Sequence, residues 1–195
     1  MQSNNNYANL SDEDLIKLVL KDQEIFSCLI ERYENKLLRY IGRITNLSPD
    51  DQEDVLQDIF IKVYKNLNDF DVDLKFSSWI YRIAHNEIIS NFRKRKRRPE
   101  YTPGEENEIL LKNIISEINL EKDLDTAYLK ENIYKILDKI DEKYKEVLVL
   151  KYFESKDYKE ISDVLKKPMG TIATLLNRAK QEFMKELKKN KLKLK

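Results

Sequence analysis

Apolar residues recur every three or four positions along most of the chain, the spacing of one face of an α-helix. In "SDEDLIKLVLKDQEIFSCLIERYENKLLRYIGRIT" the series is Leu15, Leu18, Val19, Ile25, Leu29, Ile30, Tyr33 and Leu37. Ser11, followed three residues later by Asp14, supplies a helix start, because a serine hydroxyl can accept from a free N–H of the first turn. A second helix is predicted in "NLSPDDQEDVLQDIFIKVYKNL", with Ser48 as N-cap, Pro49 in first position and acids in the first turn. Val55, Leu56, Ile59, Phe60, Val63 and Leu67 form its apolar face, and Asp54, Gln57, Asp58, Ile61 and Lys65 line the opposite one. The charges alone read as a solvated stripe. An isoleucine ringed by acids and an amide is also how a partner-binding patch looks. A loop over residues 69–75 leads to a third helix, Phe76 to Arg98. There Trp79 shares a face with Phe76, Ile80 and Ile83 and belongs to the core.

Pro99, Pro103 and Gly104 interrupt the pattern, and "PEYTPGEENE" reads as linker. Helical spacing resumes near Ile109 and continues to the C-terminus, with no strand-like alternation anywhere. The expected fold is therefore all-α. A helical domain covers residues 1–98, an acidic linker 99–130, and a second helical domain 131–195. In "DYKEISDVLKKPMGTIATLLNRAKQEFMKEL" two helical patterns flank a short turn at Lys166 and Lys167, and Pro168 can open the second helix. Ile172, Leu176, Ala179, Phe183 and Leu187 share one face of that helix; Thr171, Ala173, Thr174, Asn177, Arg178 and Gln181 share the other. This is the helix-turn-helix layout, whose second helix enters the major groove. Threonine can touch a thymine methyl or a phosphate, asparagine can read adenine, and arginine can grip guanine. A plain helical hairpin in a bundle would show the same apolar spacing.

Composition narrows the function. Charged residues make up 36% of the chain and apolar ones 41%, with three glycines and four prolines. No apolar run approaches the roughly 20 residues of a membrane span, and the N-terminus lacks a signal peptide's basic and apolar segments. Cys28 is the single cysteine, so no internal disulfide is possible; a core thiol in a reducing cytoplasm is expected. There is one histidine, His85, with no second His or Cys near it, so it reads as a surface or strand-contacting residue rather than a metal ligand. No phosphate-binding glycine pattern and no Ser/His/Asp arrangement is present, so no catalytic residue, metal, cofactor or small-molecule substrate is expected. The formal net charge of +1 conceals a pattern: residues 1–92 carry −6, Arg93 to Arg98 +6, residues 99–130 −5, and residues 131–195 +6. Two separate positive zones would draw polyanions.

Two blocks bring a family into view. "DQEDVLQDIFIKVYKNLNDFD" with "FSSWIYRIAHNEIISNFRKRKRR" resembles the second conserved region of bacterial sigma factors, and "LDKIDEKYKEVLVLKYFESKDYKEISDVLKKPMGTIATLLNRAKQEF" resembles their fourth. Two regions joined by a short linker look like the extracytoplasmic-function group. The resemblance runs from about Ser11 to Leu187 and implies a transcription initiation factor. It implies that Asp54, Gln57, Asp58, Ile61 and Lys65 dock on the clamp helices of the largest subunit of core RNA polymerase. It implies that the third helix and its preceding loop open and hold the −10 element. The −10 contacts then fall on Phe70, Lys75, Arg82, His85, Asn86, Ser90, Arg93, Lys94 and Arg95. Asn86 reads a base, the loop from Phe70 to Phe76 helps to form a pocket for a flipped base, and the basic run holds duplex phosphates. The −35 contacts fall on Lys166, Lys167, Thr171, Ala173, Thr174, Asn177, Arg178 and Lys180. An anti-sigma antagonist that masks one or both domains, and can hold the chain at the membrane, is implied as well, as is a contact with the polymerase flap.

The chain departs from the family at the turn, where many members have Gly and then an apolar residue in place of Lys166 and Lys167. A lysine in a left-handed turn costs about 1 kcal/mol relative to glycine. Ala173 and Leu175 also stand where basic residues are common, which weakens or moves the grip on −35 phosphates. Rival readings are a polymerase-independent helix-turn-helix regulator, an enzyme and an RNA-binding adaptor. The regulator leaves the acidic stripe and the aromatic helix unexplained. Co-purification with core polymerase separates it from a sigma factor.

Overall fold

The computed structural model describes residues 7, 9–71, 74–96 and 133–189; the expected linker over 99–130 lies outside the described residues. The fold is all-α. The α-helices with both ends described are α1 (Asp12–Val19), α2 (Phe26–Ile44), α3 (Pro49–Lys65), α4 (Phe76–Lys96), α5 (Glu142–Leu148), α6 (Tyr158–Leu165) and α7 (Met169–Lys189); residues 133–137 are helical as well. They fall into two compact units, one built on α1 to α4 and one on the helices after residue 133, apart from short segments at 42–49 and 163–165.

In the first unit helices start where expected, after Ser11 and at Pro49. Ser11 Oγ accepts from Asp14 N–H at 3.0 Å, and Asp12, Glu13 and Asp14 fill the positive end of α1. α3 begins at Pro49 with Asp50 and Asp51 in its first turn, and buries Val55, Leu56, Ile59, Phe60 and Val63, the face anticipated from spacing. Leu15, Ile16, Leu29, Leu37, Ile41 and Ile80 complete a core from which water is excluded. Cys28 is buried within it as a thiol. An aromatic cluster holds the start of α4: Phe76 lies 5.4 Å from Phe70, 5.6 Å from Trp79 and 5.5 Å from Tyr33, ring centre to ring centre. Each such pair adds about 0.5–1.5 kcal/mol beyond the area it buries.

The second unit packs α5 against α7. α5 continues through a π-helical turn, Val149–Phe153, which keeps Val149 and Leu150 inside while Tyr152 is exposed. α6 starts with a reciprocal capping box that the spacing argument did not identify. Glu160 N–H donates to Asp157 Oδ1 at 2.8 Å, and Asp157 N–H donates to Glu160 Oε2 at 2.8 Å. Among the described residues no helix is long and apolar enough to cross a membrane, and no group of three or more His, Cys, Asp or Glu could hold a metal ion.

Candidate functional site

The stripe on α3 stands clear of the protein. Asp54, Gln57, Asp58, Ile61 and Lys65 are all exposed, on the side opposite the buried face. Ile61 is 50% exposed and Tyr64, one turn on, 41%. Tyr64 was missed from sequence although its three-residue offset from Ile61 places it on the same stripe. Its ring meets Phe26 edge to face at 5.1 Å, which anchors it in one orientation.

α4 divides its residues by face. Asn86 is exposed and Arg82 and Ser90 half-buried; these three, spaced four apart, carry one outward stripe, preceded by exposed Lys75. His85 lies one residue off that stripe and is buried. Its Nδ1 is 3.3 Å from the Tyr40 hydroxyl, and Tyr40 packs on Tyr81 at 5.1 Å. The expectation of a surface or strand-contacting histidine is thus corrected: a turn of 100° per residue moves it from the stripe into the interface with α2. Phe70 is likewise buried, 5.2 Å from Trp79 and 5.4 Å from Phe76, so its ring supports the loop from below rather than lining a base pocket. Trp79 lies in the core, as its spacing predicted. Arg93, Lys94 and Arg95 lie within α4, but their side chains fall outside the described residues.

Glu87, next to Asn86, is a buried carboxylate that the sequence reading passed over. Lys62 of α3 pairs with its Oε2, and Asn91 Nδ2 donates to its Oε1 at 3.2 Å. A carboxylate removed from water needs such partners, and these tie the outward stripes of α3 and α4 together.

In the second unit the turn is built as anticipated. Lys166 is left-handed, with φ 52° and ψ 45°. Its N–H and that of Lys167 both donate to the Ser162 carbonyl, and Ser162 Oγ donates to the Lys167 carbonyl at 2.6 Å. These bonds offset the strain of a side chain in that conformation. Pro168 stands just before α7, its carbonyl accepting from Thr171 and Ile172 N–H at 2.8 and 3.0 Å. α7 then buries Ile172, Leu176, Ala179 and Leu187 and turns Thr171, Thr174, Asn177, Arg178 and Lys180 outward, with Ala173 half-buried. Lys166 is exposed and Lys167 half-buried beside this face. Thr174 Oγ1 donates to the Gly170 carbonyl at 2.9 Å, which takes up its hydroxyl proton. Lys180 Nζ lies 5.9 Å from the centre of the Tyr152 ring, and a hydrogen bond to Tyr152 raises its pKa.

The two faces coincide with two family matches: Sigma-70 region 2 over residues 29–98 and Sigma-70, region 4 over residues 130–183. The chain is 33% identical to the ECF RNA polymerase sigma factor SigW of Bacillus subtilis over 180 residues, 89% of this chain and 95% of that one. It is 28% identical to the ECF RNA polymerase sigma-E factor of Escherichia coli over 180 residues, 88% and 92% of the two. Among solved structures, CnrH in complex with the cytosolic domain of CnrY matches with a TM-score of 0.66 at 22% identity, over 91% of this chain and 97% of that one. The sigma factor RpoE in complex with the anti-sigma factor NepR from Bartonella quintana matches with a TM-score of 0.64 at 19% identity, over 84% and 96%. At such identities the structural matches speak for the fold.

Proposed function

The chain belongs to the ECF family of RNA polymerase sigma factors, and on that premise we propose which residues carry each step of its work. It is a transcription initiation factor: it binds core RNA polymerase and directs it to promoters. In our reading residues 1–98 form the docking and −10 domain, 99–130 the connector, and 131–195 the −35 domain, and no residue acts as a catalyst. Asp54, Gln57, Asp58, Ile61 and Lys65 dock on the clamp helices of the largest subunit. One observation carries this: Ile61 is 50% exposed at the centre of a polar stripe whose opposite face is fully used by the core. Covering an isoleucine from full exposure contributes about 1.5–3 kcal/mol, so the half still exposed here is worth about three- to tenfold in affinity.

Lys75, Arg82, Asn86 and Ser90, with the basic run Arg93, Lys94 and Arg95, hold the −10 element. Unstacked bases lie along the α4 stripe and phosphates on the cations. Phe70 and His85 keep that stripe in place from inside. Thr171, Ala173, Thr174, Asn177 and Arg178 face −35 base edges, the Thr174 methyl being free to meet a thymine, while Lys166, Lys167 and Lys180 meet phosphates. Each contact alone is weak, because nearby acid offsets each basic zone. Polymerase, holding the second domain at its flap, turns the two into one tight contact through effective concentration. An anti-sigma factor, the class of partner present in the NepR complex, masks these faces and can hold the chain at the membrane; the free factor acts in the cytoplasm.

Asp58→Arg combined with Ile61→Glu tests the docking assignment. Binding to core polymerase should fall at least about a hundredfold, the cost of an uncompensated charge and a lost apolar contact. The thermal midpoint should stay within about 2 °C, as for other surface changes. Core binding that survives the double substitution places the docking face elsewhere.

A further inference from the structure

The helix that presents Asn86 takes an acceptor for its first N–H from another helix. Lys75 occupies the N-cap position, its carbonyl accepting from Ser78 and Trp79 N–H at 3.1 and 3.3 Å. A lysine side chain has no acceptor to offer, and its charge opposes the positive end of the helix dipole. The acceptor arrives from α1, 63 residues away in sequence: Phe76 N–H donates to Glu13 Oε1 at 3.0 Å. Glu13 is itself held in place. Its neighbour Asp12 takes Arg32 at 2.6 Å and the Tyr33 hydroxyl, and Arg32 reaches on to the Leu10 and Tyr7 carbonyls at 3.0 and 3.1 Å. Burial, followed by the bond to Asp12, raises the Tyr33 pKa far above its ordinary range, so this hydroxyl stays a donor. The Tyr33 ring meets the Phe76 ring edge to face. α1 is thereby bolted to α2 and to the first turn of α4 at one point.

We propose that Glu13 is a positioning residue for capture of the promoter strand. By closing the first turn of α4 from outside, it allows a cation to stand where the loop meets the helix. A local cap, Ser or Asp at position 75, would hold the turn equally well but present a neutral or negative group to the phosphate backbone. Supplying the acceptor from α1 separates the two demands. The proposal rests on the assignment of α4 to the −10 strand.

The test uses holoenzyme reconstituted from core polymerase and the full chain. It measures the affinity for a fluorescent single-stranded −10 oligonucleotide, with thermal unfolding of the free chain alongside. Glu13→Ala should weaken strand binding about three- to tenfold, the fall in the population of a closed first turn that losing one cap produces. Glu13→Gln keeps an acceptor and should stay within about twofold of wild type. Glu13→Ala with Lys75→Ser should recover the thermal midpoint but not the affinity. Lys75→Ser alone, which folds with Glu13 in place, should lose affinity without losing stability. Unchanged strand affinity in Glu13→Ala, whether or not its midpoint falls, overturns the proposal, as does full recovery of affinity in the double variant. A wild-type holoenzyme that holds the −10 strand no better than a random strand refutes the −10 assignment itself, and this inference with it.

Discussion

Glu146, half-buried on α5, holds its proton up to about pH 7, well above the 4.5 of a free glutamate. Burial is the main cause; the negative charges of Glu142 and Asp141 add to it, and Lys167 opposes it. The folded chain therefore binds this proton more tightly than the unfolded chain. Between about pH 4.5 and 7 the unfolded state releases it first, so stability falls as pH rises through this window and levels off above 7. Glu146→Gln replaces the carboxyl with a neutral group of the same shape, and the substitution should stabilise the second unit at high pH only. The span between the two pKa values sets a ceiling of about 3 kcal/mol. Half-burial lets water relax part of it, so about 1–2 kcal/mol is expected at pH 8, shrinking towards zero near pH 4.5. In a domain of this size that is a rise of several degrees, at about 4–8 °C per kcal/mol. Unfolding followed by circular dichroism at several pH values reads it. Fluorescence of Trp79, the single tryptophan and a residue of the first unit, supplies an internal reference that should not move. A Gln variant that gains equally at pH 5 and pH 8 would refute the reasoning, because charge would then not be the cause.

Two further substitutions probe the helix-turn-helix. Lys166→Gly relieves a side chain at φ 52° and should stabilise the second unit by about 0.5–1 kcal/mol, while binding of a −35 duplex by holoenzyme weakens and its salt dependence flattens through loss of a cation; urea unfolding and a salt titration check the two halves. Gly170→Ala places a methyl group where, beyond its chain neighbours and its own helix backbone, no described atom lies within 4 Å, so it should raise stability slightly; a fall in −35 affinity despite that gain would mark Gly170 as a point of close DNA approach, and unchanged affinity would mean the groove stays clear of it.

Much of this architecture was legible from spacing because a helix face is a local property. The buried and exposed sides of α3 and α7, the cap at Ser11, the start of α3 at Pro49, and the left-handed Lys166 each follow from residues within a turn or two of one another. The two conserved blocks identified the family for the same reason. What only the tertiary structure decided depends on neighbours distant in sequence. His85 lies inside because Tyr40 of α2 receives it, and Phe70 turns inward because Trp79 and Phe76 form its floor. Glu87 reads as one more surface acid until Lys62 is seen beside it, and the start of α4 reads as uncapped until α1 delivers Glu13. Periodicity assigns a side chain to a face; which atoms wait opposite, and whether they satisfy its charge or its hydrogen bonds, is settled by packing between helices whose register the one-dimensional pattern does not encode.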